Sequence, residues 1–91
     1  MNLGVRLTTK FKKDADKMKR QGKNLDKMYD VIEILAMHES LPSKYRDHAL
    51  TGNYVDCREC HIEADWLLIY KVEEEELILV LTRTGSHSDL F

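Results

Sequence analysis

The stretch WLLIYKV (residues 66–72) decides the fold, because it is a strongly apolar run of strand length. Such a run is typical of a central strand that is covered on both faces. Asp65 marks a turn before it, and the four acids at 73–76 mark a hairpin connection after it. The next apolar run, residues 77–84, is therefore predicted to be a strand that pairs antiparallel with the first.

Two apolar stripes at helical spacing precede this sheet. They are Phe11, Ala15 and Met18 in the first stripe, and Leu25, Met28, Ile32 and Leu35 in the second. Thr8 or Thr9 can cap the first helix, Gly22 fits the position after its end, and Asn24 can cap the second helix. Because only a short connection joins them, the helices should form a hairpin whose apolar faces meet the sheet.

Two further strands complete the predicted sheet. Residues 3–7 alternate in polarity as a short strand does, and residues 54–62 form the strand that precedes Asp65. Residues 41–52 carry turn formers without a sustained period, which predicts a loop. The predicted order is β-α-α-β-β-β, an α+β fold in which two N-terminal helices pack on an antiparallel sheet. The length favours a single domain, residues 1–91.

The composition is that of a globular protein, with 43% hydrophobic and 33% charged residues. No apolar run approaches the roughly 18 residues that a membrane-spanning helix needs, and we expect a cytoplasmic protein that does not engage a membrane. The net charge of -2 conceals an asymmetry, because residues 1–30 carry nine Lys and Arg against four Asp and Glu. This basic segment predicts a patch that binds a polyanion, and a solvated helix face is the alternative.

Cys57 and Cys60 form a CxxC pair on the predicted strand 54–62. Side chains three residues apart on a strand face opposite sides, so this pair can neither chelate one ion nor close a comfortable disulfide. A redox pair normally begins a helix, and a structural zinc needs a second pair of ligands at suitable spacing. We therefore expect two free thiols, with a metal or redox role as the alternative.

Three of the four histidines lie at predicted strand ends or in loops, where sites are usually built: His48, His61 and His87. With Asp65 and Arg83 they have the chemistry to cleave RNA, whose 2′-OH is its own nucleophile. Cleavage needs a base for that proton, an acid for the departing 5′-oxygen and a cation for the phosphate. Imidazole, with an ordinary pKa of about 6.5, suits both proton roles, and guanidinium suits the phosphate. The aromatic candidates for stacking on a base are Tyr45, Tyr54, Trp66 and Phe91.

Two stretches carry a recognisable pattern of spaced polar residues: RDHALTGNYVDCRECHIEADWLLIYKV (46–72) and LTRTGSHSDLF (81–91). They contain a DH-x-L-x-G loop, an R-E/D-x-H-x-x-x-D-W-L-L-I-Y hairpin and a terminal R-x-G-[ST]-H-x-x-L-F. The earlier FKKD and LP-x-K-Y-R-D stretches also fit. In this pattern the chain resembles the YafQ branch of the RelE/ParE toxin superfamily, and the resemblance covers nearly its whole length.

The resemblance implies the toxin of a type II toxin–antitoxin system. Such a toxin would be a ribosome-dependent endoribonuclease that cuts mRNA by general acid/base catalysis, with no metal or other cofactor. A cognate antitoxin protein would neutralise it, and the two proteins would together bind operator DNA and repress their own operon. The alternative is a non-enzymatic member of the superfamily that acts by binding a target such as gyrase, a branch that generally lacks the His/Asp cluster.

Carried onto this chain residue by residue, the resemblance implies three sets of functional side chains. The catalytic set is His48, His61, Asp65 and His87. The set that binds phosphate and RNA is Arg83, Trp66 and Phe91. The set that contacts ribosomal RNA is Lys10, Lys12, Lys13, Lys17, Lys19 and Arg20. We expect His87 to be the general acid, whereas the general base stays open among His48, His61 and Asp65.

Overall fold

The computed structural model describes residues 2–91 as one sheet with two long helices on one of its faces. The elements in chain order are β1 (Gly4–Leu7), α1 (Thr9–Arg20), α2 (Leu25–Ala36), β2 (His48–Ala49), β3 (Arg58–Glu63), β4 (Trp66–Glu73), β5 (Ile78–Gly85) and α3 (His87–Leu90). Two 3-10 turns, Ser43–Tyr45 and Gly52–Tyr54, flank β2. None of the helices within residues 2–91 has the length and apolar character that crossing a bilayer requires.

The five strands lie in the order β1-β5-β4-β3-β2. The neighbours β2/β3, β3/β4 and β4/β5 are antiparallel, as predicted for consecutive strands with short connections. Strand β1 pairs with β5 in the parallel sense, and the helical hairpin and three strands between them provide the long connection that a parallel pair requires. The predicted α+β fold, with helices packed on a mostly antiparallel sheet, is confirmed.

The caps of the two long helices are those predicted. The Thr8 side chain accepts a hydrogen bond from the backbone N–H of Phe11 at 3.0 Å, and the Asn24 side chain accepts one from Asp26 at 3.0 Å. Gly22, two residues beyond the end of α1 at Arg20, has a φ of 84°. Glycine suits this left-handed conformation because it has no Cβ.

The apolar run of β4 is buried on both faces, as predicted. One face packs against the long helices, where Trp66 and Leu68 meet the buried residues of α1 and α2. On the other face Leu67 and Ile69 are covered by Leu90 of α3 and by partly buried residues of the 50–57 segment. Helices therefore cover one face, and a loop with a short terminal helix covers the other.

Two local predictions need correction. Residues 41–52 are not all loop, because the two-residue strand β2 pairs with β3 through His48 and Ala49. The predicted strand 54–62 begins only at Arg58, since residues 52–54 form a 3-10 turn. Elements this short present no periodicity that a sequence pattern can reveal.

The chain ends in a short helix that was not predicted. Ser86 caps α3 in a reciprocal arrangement, in which its hydroxyl accepts the N–H of Asp89 and the Asp89 carboxylate accepts the N–H of Ser86, each at 3.2 Å. A Cβ at Gly85 would lie 3.2 Å from the Asp89 side chain. Glycine at this position therefore permits the tight turn that folds α3 back over the sheet.

Candidate active site

Three polar side chains of β2 and β3 project from the sheet face that the long helices do not cover. His48 lies opposite Glu59, and His61 lies opposite Leu67 of β4. Directly opposite residues of an antiparallel pair project to the same face, and so do residues two apart on one strand. His48, Glu59 and His61 therefore share the face of Leu67.

Helix α3 brings His87 to the same place. Asp65, in the turn between β3 and β4, accepts a hydrogen bond from the backbone N–H of His87 at 2.9 Å and lies 2.8 Å from its Nδ1. These bonds, the backbone one first, hold the pKa of Asp65 below its ordinary value. Because a carboxylate only accepts, Nδ1 carries the hydrogen, and Nε2 is the nitrogen left to exchange a proton with a substrate.

The rings of the site form a continuous row. The ring centroid of His61 lies 6.3 Å from that of His48 and 5.8 Å from that of His87. Phe91 follows, 6.3 Å beyond His87, and Tyr54 meets Phe91 edge-on at 5.4 Å. The three predicted histidines, which are far apart in the sequence, thus lie side by side.

Glu59 is a site residue that the sequence analysis did not single out. Its side chain is only 5% exposed, and its Oε1 lies 3.3 Å from Nε2 of His61 and 4.0 Å from Nε2 of His48. A buried carboxylate needs such partners, because removing an unpaired charge from water is costly. The available signal was the spacing, since Glu59 and His61 are two residues apart on a predicted strand and must share a face.

The second nitrogen of each of these imidazoles faces a backbone carbonyl. Nδ1 of His48 lies 2.7 Å from the oxygen of Arg46, and Nδ1 of His61 lies 3.3 Å from the oxygen of Ala64. Nε2 of His61 lies within hydrogen-bond distance of Glu59, whereas the 4.0 Å separation at His48 is too long for a hydrogen bond. His61 therefore lies between two oxygen acceptors, which fix the orientation of its ring.

Asp47 anchors the loop that presents His48. Its Oδ1 accepts hydrogen bonds from the Tyr70 hydroxyl at 2.7 Å and from Nε of Arg58 at 3.1 Å. Burial, together with the bond to Asp47, raises the pKa of Tyr70, so the phenol stays a donor. Strands β3 and β4 thereby fix the residue next to His48, which locates this imidazole although β2 is short.

Arg83, the predicted phosphate-binding cation, has an acidic partner. Its Nε and Nη2 donate to the two carboxylate oxygens of Asp14 at 2.6 and 3.2 Å. These hydrogen bonds raise the pKa of Arg83 above its ordinary value. The bidentate pair commits part of the guanidinium to α1, and phosphate binding through the remaining N–H groups stays a prediction.

The expected contact between Trp66 and RNA is wrong. Trp66 is 0% exposed, and its Nε1–H donates to the hydroxyl of Thr84 at 2.9 Å. Because side chains alternate along β4, Trp66 projects toward the helices while the next residue, Leu67, projects toward the site. An indole inside the core cannot stack on a base, so Trp66 can only order the strand that follows Asp65.

The other predicted RNA contacts lie on the surface. Phe91 is 63% exposed beside His87. The residues expected to contact ribosomal RNA are exposed on α1: Lys10, Lys12, Lys13, Lys17, Lys19 and Arg20. One of them, Lys17, also pairs with Asp89 at 2.9 Å and so ties α1 to α3. These roles stay predictions.

Cys57 and Cys60 are free thiols, as predicted. Cys60 is buried in the core between the sheet and the long helices, whereas Cys57 packs on the opposite side near Leu67. Burial raises the pKa of the Cys60 thiol to about 12, which suppresses the thiolate that redox and metal chemistry require.

One further property of the site concerns metals. Glu59, His61 and His87 each offer a ligand atom, and these atoms all lie within 4.8 Å of one another. Two imidazoles and a carboxylate suit zinc and copper. The site thus has the donor set of a transition-metal centre at a place where the sequence analysis expected no metal.

The fold is shared with a class of small bacterial toxins, as two solved structures show. The structure superimposes on a metal-bound toxin from Helicobacter pylori with a TM-score of 0.92 at 42% sequence identity, covering 98% of this chain and 99% of the other. It also superimposes on a chain of the Escherichia coli DinJ-YafQ toxin-antitoxin complex with a TM-score of 0.90 at 30% identity, covering 100% and 99%.

Sequence comparison specifies the family within this class. The mRNA interferase toxin YafQ of Escherichia coli K12 is 32% identical over 88 residues, which cover 96% of this chain and 94% of the relative. Residues 3–91 match the family described as the bacterial toxin of the type II toxin-antitoxin system, YafQ. The chain belongs to the YafQ family of type II toxins, as its resemblance to that branch indicated.

Proposed function

We propose that this toxin is an endoribonuclease that cleaves mRNA on the ribosome through attack of the RNA's own 2′-OH. The observation that carries the proposal is the pair of imidazoles His61 and His87, with centroids 5.8 Å apart and a carboxylate beside each. Two such rings can bracket one phosphodiester, with one proton-transfer group on each side. The name of the Escherichia coli relative, an mRNA interferase, supports the choice of substrate.

The proposed reaction balances without a cofactor. A base takes the proton of the 2′-OH, and the 2′-oxygen attacks the adjacent phosphorus. The bond between phosphorus and the 5′-oxygen then breaks, and an acid gives that oxygen a proton. The products are a 2′,3′-cyclic phosphate and a 5′-hydroxyl end.

The geometry favours particular proton roles. His87 is the general acid, because Asp65 fixes its Nδ1–H and leaves Nε2 directed to the substrate. The pair His61–Glu59 receives the 2′-OH proton, since it is the titratable group nearest to His87 on the row. His48 stands at the end of the row, where it can contact the RNA, and Asp65 acts as a positioning residue for His87.

The proposed partners follow from charge and family. The exposed cations of α1 would contact ribosomal RNA, which is a polyanion. A cognate antitoxin would neutralise the toxin, as the DinJ-YafQ toxin-antitoxin complexes indicate for the relatives. We further propose that the two proteins bind operator DNA together and that the toxin acts in the cytoplasm. The non-enzymatic alternative, a toxin that only binds a target such as gyrase, is not favoured, because the relatives with curated function are named mRNA interferases.

Mapping of RNA ends tests this proposal. Ribosomes programmed with mRNA, and the same mRNA without ribosomes, are incubated with wild-type toxin, His87→Ala and the control His38→Asn. His38 lies outside the site at a φ of 60°, a conformation that asparagine tolerates. We expect new 5′-hydroxyl ends on programmed ribosomes with wild type and control, and cleavage slower by about 10²–10⁴-fold with His87→Ala. Equal cleavage by His87→Ala, or none by the wild type, would refute the proposal.

A second candidate role for the same cluster is reversible binding of a transition metal. One ligand atom from each of Glu59, His61 and His87 lies within 4.8 Å of the other two, which favours this role. The similar toxin from Helicobacter pylori, whose structure is described as metal-bound, supports it. Since the metal would occupy the nitrogens that transfer protons, it should inhibit cleavage. Titration with Zn²⁺ or Cu²⁺ should therefore lower the cleavage rate, and excess EDTA should restore it. Loss of cleavage in EDTA would instead make the metal a cofactor.

A further inference from the structure

We propose that Arg46 binds an RNA phosphate next to the cleaved one, at a pocket beside His61 that takes the adjoining nucleotide. This inference rests on the proposed RNA cleavage and names a substrate contact that the sequence analysis did not assign. Three features carry it: the fixed backbone of Arg46, its guanidinium, which pairs with no side chain within residues 2–91, and the pocket that it lines.

The backbone of Arg46 is held tightly next to the active site. Its φ of 51° and ψ of 42° place it in the left-handed region, which is unfavourable for a residue with a Cβ. Its N–H bonds to the oxygen of Ser43 at 3.0 Å, and its own oxygen accepts Nδ1 of His48 at 2.7 Å. Strain of this kind clusters at functional sites, where the surrounding structure enforces it. Arg46 therefore orients His48 through its backbone carbonyl and carries its guanidinium on a backbone whose position is fixed.

The guanidinium of Arg46 differs from the other two that surround the site. Arg58 pairs with Asp47 at 3.1 Å, and Arg83 forms a bidentate pair with Asp14. Arg46 is exposed and has no side-chain partner among residues 2–91. An exposed guanidinium without a carboxylate keeps its full set of donors for a phosphate, which it can bind bidentately.

The pocket beside His61 has a volume of about 460 Å³. Arg46 and Lys44 line it, as does the ring of Tyr45, over which the Lys44 ammonium lies at 5.1 Å from the centroid. Two carboxylates, Glu63 and Asp30, also line the pocket. Lys23 and Lys27 form ion pairs with Glu63, and Asp30 lies on α2, the helix that also carries Lys27. The pocket thus offers cations for a phosphate, an aromatic ring and a carboxylate that can accept hydrogen bonds from a base.

The shared position of His61 makes the pocket a neighbour of the reaction. Its imidazole belongs both to the row of catalytic rings and to the pocket wall. A strand of RNA whose cleaved phosphate lies between His61 and His87 would therefore place the nucleotide on one side toward Arg46 and the nucleotide on the other side toward Phe91.

The decisive variant is Arg46→Gly. Glycine adopts the left-handed conformation without strain and keeps the carbonyl that orients His48, so the melting temperature should not fall. Arg46→Gln removes the charge but keeps a side chain. Arg6→Gln is the matched control, because it changes net charge equally on β1, which lies at the opposite edge of the sheet.

Single-turnover cleavage on programmed ribosomes is measured against toxin concentration. For Arg46→Gly and Arg46→Gln we expect the half-saturating concentration to rise roughly 10- to 100-fold, while the maximal rate stays near that of the wild type. His87→Ala should instead lower the maximal rate. An unchanged half-saturating concentration in the Arg46 variants, or an equal rise in Arg6→Gln, would overturn the inference.

Binding of an uncleavable substrate separates this inference from the proposed function. Programmed ribosomes whose mRNA carries a 2′-deoxy sugar at the cut position should bind the Arg46→Gly toxin more weakly than the wild-type toxin. They should bind the His87→Ala toxin with the same affinity as the wild type. If the wild type fails to cleave ordinary mRNA, the proposed function fails. If it cleaves and Arg46→Gly binds as tightly as wild type, only the role of Arg46 fails.

Discussion

Oδ1 of Asp65 lies 2.8 Å from Nδ1 of His87 and accepts the backbone N–H of the same residue. This contact joins the β3–β4 turn to the last helix of the chain, across 22 residues of sequence. Two bonds to one oxygen fix both the position and the tautomer of the imidazole. The orientation of His87 therefore depends on a residue that is not expected to touch the reacting proton.

The first prediction is that Asp65→Asn slows cleavage by about 10²-fold or more, although the protein still folds. A neutral asparagine amide removes the negative charge beside Nδ1, and with it the support for a ring that must also carry a proton on Nε2 in order to donate it. Single-turnover rates on programmed ribosomes would measure the effect. Asp56→Asn is a suitable control, since this exposed residue has a φ of 71° that asparagine also tolerates. A wild-type rate for Asp65→Asn would show that the contact is only structural.

The second prediction concerns Glu59, the buried carboxylate between His48 and His61. Glu59→Gln keeps the shape of the side chain but loses the charge, so we expect cleavage to fall by roughly 10-fold or more while stability changes little. Burying a charge is costly, so the stability gained by removing the charge of Glu59 offsets the stability lost through the weaker hydrogen bonds of glutamine. Urea unfolding and single-turnover cleavage would be measured on the same preparation. A large loss of stability with normal cleavage would contradict a role in the reaction.

The third prediction is that Phe91→Ala weakens RNA binding without altering the maximal cleavage rate. The exposed ring lies beside His87, where it can stack on a base, and such stacking contributes about 1–3 kcal/mol. The half-saturating toxin concentration should rise accordingly, and Phe91→Trp should restore it because indole also stacks. Failure of tryptophan to rescue the alanine variant would argue that Phe91 packs on Tyr54 and does not bind RNA.

The fourth prediction is that the free energy of unfolding falls in acid, and that part of this fall comes from protonation of Glu63. Its carboxylate pairs with Lys27 at 2.9 Å and Lys23 at 3.2 Å, and the hydrogen bond from Lys27, followed by that from Lys23, lowers its pKa. Because the folded pKa is the lower one, the contribution is present above the ordinary carboxyl pKa of about 4.3 and is lost as the pH falls through the folded value.

Urea unfolding at pH 7 and at about pH 3.5 tests this expectation. Glu63→Gln should lower the free energy of unfolding at pH 7 and reduce its decline toward acid pH, relative to wild type. Glu75→Gln, which changes an exposed acid in the β4–β5 connection, should leave the decline as it is. An identical acid profile for wild type and Glu63→Gln would show that the solvent screens this pair fully.

The parts of the fold that local sequence encodes were predictable. The caps at Thr8 and Asn24 act within a few residues, and the run at 66–72 is long enough to reveal a strand covered on both faces. Strand β2 escaped prediction because its two residues are extended only through pairing with β3. Helix α3 escaped because its four residues show no period, although Ser86 and Asp89 encode its cap.

The site was predictable in its chemistry and less so in its geometry. Histidines 48, 61 and 87 were expected from the chemistry of RNA cleavage and from the resemblance. The burial of Trp66 and the pairing of Arg83 with Asp14 depend on which face a side chain occupies and which charge lies across from it. The same holds for Arg46, which has no side-chain partner in the described part of the chain. Those facts involve residues distant in sequence, so no local pattern contains them.

The amino-acid sequence by itself determined the two long helices, the long strands and the types of group available for reaction, because periodicity, capping and side-chain chemistry are local properties. Only the tertiary structure decided which of those groups meet. Pairing of β2 with β3 and the return of α3 over β4 bring His48, Glu59, His61 and His87 together. The physical reason is that the sheet register and the burial of Leu90 set these distances, and both arise from packing across the whole chain.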